Sequence, residues 1–202
     1  MATNEPIKAE AVKRLRDLTG AGFMDCKRAL EEAGGDVARA VAILRERGQA
    51  AAARRAEREA REGLVASYIH PGGRLGVLIE VNCETDFVAR TEEFQRLARD
   101  LAMQVAGLGA LYPTVESVPA EVVEAKRAEL QADPIVQQKP ETVQQQIVDG
   151  QLKKWYAEVA LYEQPFRDTE MTVRQLVEQK VAQIGENIRV RRFVRFALGG
   201  ES

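Results

Sequence analysis

The stretch GLVASYIHPGGRLGVLIEV, residues 63–81, decides the fold, because the apolar pattern changes there from helical to strand-like. Residues 64–69 and 75–81 are short apolar runs, and the turn-forming residues 71–74 (PGGR) separate them. Two such runs around a Pro/Gly turn are typical of a β-hairpin. Apolar residues alternate again over 187–198, which predicts a third strand. We therefore expect a small antiparallel sheet.

Upstream of the hairpin, residues 7–47 carry helical periodicity in three short segments. Asp25 and Asp36 are placed to cap the second and third helices. Gly34-Gly35 and Gly48 are expected to end these two helices. The apolar faces are Ile7, Ala11, Leu15 and Leu18; Cys26, Ala29, Leu30 and Ala33; and Val37, Ala40, Val41 and Leu44. This predicts a three-helix module within residues 1–48.

Residues 49–62, which follow the module, are rich in Ala, Arg and Glu. Opposite charges fall four residues apart, as in Arg55 with Glu59 and Arg58 with Glu62, and this spacing supports a solvated helix. The alternative, a basic arm for RNA, is disfavoured by the interspersed glutamates. The segment is predicted to be a linker helix.

The remainder, residues 63–202, is predicted to be an α+β core. Thr91 should cap a helix after the hairpin, and Pro119 suits the start of another. Thr172 and Gln175 form a capping-box pattern for a buried helix that precedes the last strand. The predicted fold class is thus α+β: a helical module, a linker helix, and an antiparallel sheet flanked by helices.

Composition excludes several classes of protein. Apolar residues make up 45% and charged residues 30%, as in a folded globular protein. Basic and acidic residues nearly balance, 29 against 31, which disfavours a nucleic-acid binder. No apolar stretch reaches bilayer-spanning length, and the polar N-terminus lacks a signal-peptide core. Cys26 and Cys83 stand far apart, which suits a reducing compartment. A cytoplasmic protein without membrane contact is expected.

The sequence offers no motif for covalent chemistry. Phosphate-binding loops, dinucleotide fingerprints, zinc-protease motifs and nucleophile elbows are all missing from it. The single histidine, His70, precedes the hairpin turn, where a surface role is favoured over catalysis. We therefore expect no enzyme, no cofactor and no metal site.

Two segments carry apolar residues in unusual places. In residues 19–24 (TGAGFM) two glycines allow special backbone conformations and two large apolar residues follow. Phe23 and Met24 either cover the open end of the small module or form an exposed binding patch. In residues 85–88 (TDFV), Phe87 or Val88 either staples the helix capped by Thr91 or presents an apolar wedge to a partner.

These two segments also carry a resemblance to a known family. Residues 15–30 (LRDLTGAGFMDCKRAL) are similar to the N-terminal signature of bacterial elongation factor Ts, and residues 80–90 (EVNCETDFVAR) resemble its second signature. The two motifs in this order and spacing are highly specific. Weaker similarity extends the match over about residues 7–198.

The resemblance implies a guanine-nucleotide exchange factor that binds the GTPase elongation factor Tu and promotes GDP release. It implies that the N-terminal helices are a ubiquitin-associated-like (UBA-like) module. The module's loop, which contacts the GTPase, corresponds here to Gly20, Ala21, Gly22, Phe23, Met24 and Lys27. The segment Thr85, Asp86, Phe87 and Val88 corresponds to the part that dislodges the partner's magnesium ion, with Phe87 as the intruding ring.

The chain is shorter than long members of this family, which duplicate the core region. We therefore expect a non-covalent homodimer, with the strand near residues 189–198 as a candidate edge. Direct nucleic-acid binding is not expected. The competing class is an RNA or ribosome binder using the arginines of residues 189–195, and a third is an enzyme of unrecognised type.

Overall fold

The computed structural model describes residues 7–167 and 169–200. The polar segment predicted at the extreme N-terminus lies mostly outside these residues. The described chain contains helices α1 to α9 and strands β1 to β3 in an α+β arrangement, as predicted. Their bounds are α1 Ala9–Thr19, α2 Phe23–Glu32, α3 Val37–Arg55, β1 Glu62–Ile69, β2 Leu75–Cys83, α4 Asp86–Ala89, α5 Glu92–Leu108, α6 Ala120–Gln131, α7 Pro134–Gln137, α8 Glu141–Val159, α9 Val173–Ile184 and β3 Arg189–Ala197.

Contacts divide the chain into two compact units, and the first contains residues up to 60 together with 175–188. In this unit α1, α2 and α3 form the predicted three-helix arrangement. Its core is small and almost wholly aliphatic. The buried residues are Val12, Leu15, Cys26, Ala29, Leu30, Ala33 and Ala40.

The boundaries of these helices differ from expectation at two points. Helix α2 begins at Phe23 after Gly22, so Asp25 lies in its first turn and does not cap it. Helix α3 continues through Gly48 to Arg55, so Gly48 does not end it. Glycine inside a helix costs only about 1 kcal/mol, and at this position a Cβ would already lie 3.9 Å from the Cβ of Ala182 on α9.

Other local signals are confirmed. The carboxylate of Asp36 accepts a hydrogen bond from the backbone N–H of Arg39 at 3.1 Å, which caps α3. Gly34 and Gly35, after α2, adopt positive φ angles of 64° and 87°.

The linker helix predicted over 49–62 is instead the last part of α3 up to Arg55, and strand β1 already begins at Glu62.

The second unit contains residues 61–174 and those from 189 onward. Its sheet has the strand order β1-β2-β3, and both neighbouring pairs are antiparallel. The predicted hairpin is confirmed: the N–H of His70 donates to the carbonyl of Leu75 at 2.8 Å. Helix α5 packs against β1 and β2 and covers one face of the sheet. The buried side chains include Val77, Ile79, Val81, Phe94 and Leu101.

The opposite face of the sheet is exposed although it is largely apolar. Leu78 in the central strand stands opposite Ser67 on one side and Val194 on the other. The same register pairs Gly76 with Ile69 and with Phe196. The exposed apolar residues of the three strands are Val65, Ile69, Leu78, Val194 and Phe196. We call these five residues the open sheet face.

Helices α6 and α8 pack against each other in the second unit. Helix α6 follows Pro119, and α9 follows Thr172, as predicted. An ion pair at 2.9 Å joins Arg127 of α6 to Asp149 of α8. None of the helices within residues 7–167 and 169–200 has the length and apolarity needed to cross a membrane.

Candidate functional site

Residues 85–88 form a rigid turn between the central strand and helix α5. Strand β2 ends at Cys83, whose thiol donates to the carbonyl of Thr85 at 3.1 Å. The hydroxyl of Thr85 then accepts a hydrogen bond from the N–H of Val88 at 3.3 Å and caps the single-turn helix α4. Both bonds hold the backbone on which Phe87 is carried.

Within this turn, Phe87 and Val88 have opposite environments. The Phe87 side chain is 76% exposed, whereas Val88 is only 7% exposed. An exposed aromatic ring on an anchored turn contributes nothing to the core and is available to a partner. Val88 therefore supplies the local burial in this turn, and the ring of Phe87 is presented to solvent.

Helix α5 supports the turn from behind. The hydroxyl of Thr91 donates to the carbonyl of Val88 at 2.8 Å and accepts from the N–H of Phe94 at 3.3 Å, so Thr91 caps α5 as predicted. Phe94 itself is fully buried. Thr91 thus links the turn to the first turn of α5, which carries the buried Phe94.

Asp86 lies beside the exposed ring and pairs with Arg90. The carboxylate oxygen and the guanidinium nitrogen are 2.6 Å apart, and both side chains are largely exposed. A surface pair of this kind adds little to stability because water screens it. Either charge can therefore exchange its present partner for one on a bound protein at small cost.

The N-terminal candidate loop begins where α1 ends. Gly20 adopts a left-handed conformation with φ of 63°, and its N–H donates to the carbonyl of Arg16 at 2.7 Å. The hydroxyl of Thr19 donates to the carbonyl of Leu15 at 2.7 Å and accepts from the N–H of Ala21 at 3.4 Å. The chain direction is thereby reversed within a few residues.

Phe23 and Met24 both lie in the first turn of α2 and are exposed, 47% and 57% respectively. Both side chains are therefore accessible at the surface of the module. Leu18, which was assigned to the buried face of α1, is also 64% exposed. Lys27, one turn further along α2, pairs with Glu31 at 3.8 Å, again with both side chains open to solvent.

Both cysteines lie behind the candidate segments. Cys26 is buried, and its thiol donates to the carbonyl of Ala21 at 3.6 Å. Burial raises the pKa of the Cys26 thiol above its ordinary value. Cys83 is likewise buried and contacts Thr85 as described. The two thiols are therefore packing groups and are poorly disposed to act as nucleophiles.

The predicted residues are distributed over two units. Gly20, Ala21, Gly22, Phe23, Met24 and Lys27 belong to the first, and Thr85, Asp86, Phe87 and Val88 to the second. In the part of the chain that the structure describes, no cluster of three or more metal-ligating side chains is found. His70 lies at the surface, and its Nδ1 is 3.0 Å from the Tyr68 hydroxyl.

Sequence analysis missed Gln179 and Gln183, which bind the carbonyl at the start of the N-terminal loop. Their spacing of four residues places them on one face of a helix, but helical glutamines are common at surfaces. Only the knowledge that α9 packs beside the loop distinguishes them.

Comparison with known proteins agrees with the two motifs. A family model described as Elongation factor TS matches residues 7–200. The chain is 55% identical over 194 residues to elongation factor Ts of Carboxydothermus hydrogenoformans, covering 96% of this chain and 89% of that protein. It is 53% identical to that of Caldanaerobacter subterraneus subsp. tengcongensis, covering 96% and 97%. For Synechococcus sp. strain JA-3-3Ab the identity is 52%, covering 96% and 69%. The chain therefore belongs to the elongation factor Ts family of translation elongation factors.

Proposed function

We propose that this protein binds the GTPase elongation factor Tu and accelerates the release of GDP from it. The observation that carries the proposal is the 76% exposed ring of Phe87 on a turn held by Thr85 and Thr91. A rigid apolar ring can enter a partner without first losing conformational freedom, so little of its binding energy is lost.

The proposed mechanism is displacement of the magnesium ion that helps to hold GDP. Magnesium requires near-ideal octahedral geometry, so a small shift of its ligands greatly weakens the binding of the ion. Burial of one Phe ring supplies about 1.5–3 kcal/mol, and about 1.4 kcal/mol corresponds to a factor of ten. Phe87 alone thus accounts for roughly ten- to a hundredfold weaker GDP binding, and other contacts must contribute the rest.

The N-terminal loop is the second proposed contact. Phe23 and Met24 offer exposed apolar surface, and the flexible Met side chain adapts to an irregular partner. Lys27 adds a positive charge whose present partner, Glu31, is solvent-exposed and easily exchanged. We propose that residues 1–48 act as a UBA-like module for this loop.

No covalent step is needed in this scheme, so the protein acts by binding and not as an enzyme or with a cofactor. Because coupling between two ligands is reciprocal, a factor that weakens GDP binding is itself released when fresh nucleotide binds. The proposed place of action is the cytoplasm, where elongation occurs.

We further propose that two copies associate through the open sheet face. Strands about 4.8 Å apart with a rise of about 3.4 Å per residue give a face of roughly 400 Å². This area includes Ser67, Glu80 and Arg192 as well as the five apolar side chains. A stable dimer buries about 800 Å² per partner, so Leu198, which is also exposed, and flanking loops must add area.

The charges at one end of this face favour pairing with a second copy. Glu80 accepts hydrogen bonds from Arg191 at 3.0 Å and from Arg192 at 2.8 Å. Because these charges are paired within one chain, two identical faces do not repel each other strongly. The same pairing reduces the positive charge available to RNA, which weakens the competing nucleic-acid hypothesis.

The test is release of a fluorescent GDP analogue from purified elongation factor Tu with increasing amounts of this protein. We expect the wild type to accelerate release and Phe87→Ala to lose most of the effect. Ile135→Ala is the matched control, because Ile135 is 69% exposed and lies in α7, away in sequence from both motifs. Absence of acceleration by the wild type would contradict the proposed function. Equal activity of Phe87→Ala and the control would contradict the wedge.

A further inference from the structure

Thr19 is the last residue of helix α1, and its carbonyl immediately precedes the proposed partner-binding loop. It accepts a hydrogen bond from Nε2 of Gln183 at 3.1 Å, and a second one from Nε2 of Gln179. The last carbonyls of a helix have no partner within it. Here two side chains from α9, more than 150 residues away in sequence, supply the donors.

The amide of Gln183 is oriented for this contact. Its Oε1 accepts a hydrogen bond from Nζ of Lys180 at 2.9 Å, which leaves Nε2 directed at Thr19. The same nitrogen also lies close to Gly20. A Cβ there would overlap Nε2 of Gln183, and the φ of 63° independently favours glycine.

Helix α9 is itself firmly attached to α3 and the residues after it. Nε of Arg55 donates to the carbonyl of Gly185 at 2.9 Å. Nδ2 of Asn187 donates to the carbonyl of Arg58 at 2.8 Å. Val177 and Val181 are buried on the same helix. Gln179 and Gln183 therefore act from a fixed support and not from a mobile segment.

We infer that Gln179 and Gln183 are positioning residues that set the direction of the partner-binding loop, an inference that rests on the proposed function of that loop. Their bonds hold the end of α1, and Gly20 to Gly22 lead from there into the turn that exposes Phe23 and Met24. A loop that is already held in one conformation loses less conformational entropy when it binds a partner. The two glutamines thus tune affinity for the partner without touching it.

The experiment uses the full chain with Gln179→Glu and Gln183→Glu combined. Glutamate has the size of glutamine but, when ionised, cannot donate to a carbonyl. Gln145→Glu is the matched control, because Gln145 is an exposed glutamine within α8. The first measurement is amide hydrogen exchange of the factor alone, and the second is the factor concentration that gives half-maximal GDP release.

We expect exchange at the amides of Gly20, Ala21 and Cys26 to rise about 25-fold in the double variant, since each of the two lost hydrogen bonds shifts an equilibrium roughly fivefold. Exchange at Phe94 should not change, which distinguishes loop loosening from global unfolding. The half-maximal concentration should rise about tenfold, while the maximal release rate stays constant because Phe87 is unaltered. The control variant should match the wild type in the exchange rates, the half-maximal concentration and the maximal release rate.

Unchanged exchange at Gly20, Ala21 and Cys26 would overturn the inference, whatever the release assay shows. Faster exchange with an unaltered half-maximal concentration would also overturn it, because the loop would then bind without being positioned. If the wild type fails to accelerate GDP release, the proposed function fails. The hydrogen-exchange result then decides alone whether these glutamines hold the loop.

Discussion

Phe87 and Val88 are neighbours in the one-turn helix α4, but the side chain of Phe87 is exposed to solvent and that of Val88 is buried. Phe87 is three-quarters exposed, while Val88 is buried against the core. The backbone between them is held by the hydroxyls of Thr85 and Thr91. The buried and the exposed side chain of this turn are therefore different residues, and they can be changed separately.

The first prediction concerns this separation. Phe87→Ala should change the free energy of unfolding by no more than about 0.5 kcal/mol, as for most exposed sites. Phe94→Ala should lower it by about 3–5 kcal/mol, since Phe94 is fully buried. Denaturant unfolding followed by circular dichroism measures both. Strong destabilisation by Phe87→Ala would mean that the ring packs against this protein in solution.

A second prediction concerns the cap of α4. Thr85→Ala removes the oxygen that accepts from the N–H of Val88 and should cost about 1 kcal/mol. Because the turn loosens around Phe87, acceleration of GDP release should fall as well. Thr85→Ser keeps the hydroxyl and should preserve both properties. The cap would be unimportant if alanine and serine behaved alike in the release assay and in unfolding.

The third prediction tests association through the open sheet face. Phe196→Glu places a charge in an apolar contact and should convert a dimer into a monomer at micromolar concentration. Leu111→Glu is the matched control, because Leu111 is exposed to a similar degree outside the sheet. Sedimentation equilibrium gives the mass of each. A monomeric wild type, or a Phe196→Glu variant that stays dimeric, would contradict this mode of association.

A fourth prediction follows from the carboxylate of Glu80. Its hydrogen bonds, first from Arg192 and then from Arg191, lower the pKa of Glu80 below the ordinary value of 4.5. A lowered folded-state pKa means that the stabilisation is complete above the ordinary value and is lost as pH falls through the folded value. The difference in unfolding free energy between wild type and Glu80→Gln should thus be largest near pH 7 and shrink below about pH 4.

Unfolding by urea at a series of pH values, with protein concentration held constant, measures this difference. A double-mutant cycle with Arg192→Gln supplies the control, because the Glu80 effect should decrease when Arg192 is absent. A difference that grows on acidification would show that the pair does not stabilise the folded state.

The fifth prediction compares two glycines. Gly63 in β1 has a φ of 143°, and a Cβ there would overlap the carbonyl oxygen of Val81. Gly63→Ala should therefore cost about 2–4 kcal/mol. Gly107 lies inside α5 with nothing within 4 Å of a Cβ, so Gly107→Ala should stabilise by about 0.5–1 kcal/mol. Thermal unfolding should show a lower midpoint for Gly63→Ala and a higher one for Gly107→Ala. A lower midpoint for both variants would contradict this interpretation of Gly107.

The features that were predicted correctly depend on residues close together in the chain. The cap by Asp36, the hairpin around residues 71–74 and the cap by Thr91 each involve a few neighbouring residues. Two helix boundaries were predicted wrongly: Asp25 lies inside α2 and does not cap it, and Gly48 lies inside α3. Gly48 was expected to end α3, but glycine inside a helix is tolerated, and this one packs close to Ala182 of α9.

Packing also decided which of the adjacent apolar side chains are buried. A helical or turn pattern does not tell which of Phe87 and Val88 is buried, since both are apolar and adjacent. The same holds for Leu18, whose position on the apolar face of α1 predicted burial, although the folded chain leaves it exposed. A small module has room for only part of an apolar stripe, and the pattern does not say which part.

The sequence by itself determined the α+β class, the helix and strand periods, and the two motifs that mark the family, because these depend on local spacing and residue type. Only the tertiary structure decided that Phe87 is exposed, that five residues of three strands form one open sheet face, and that Gln179 and Gln183 reach Thr19. Each of these depends on strand register or on helix packing between distant segments. Such contacts form only when the whole chain folds, so no local stretch of sequence specifies them.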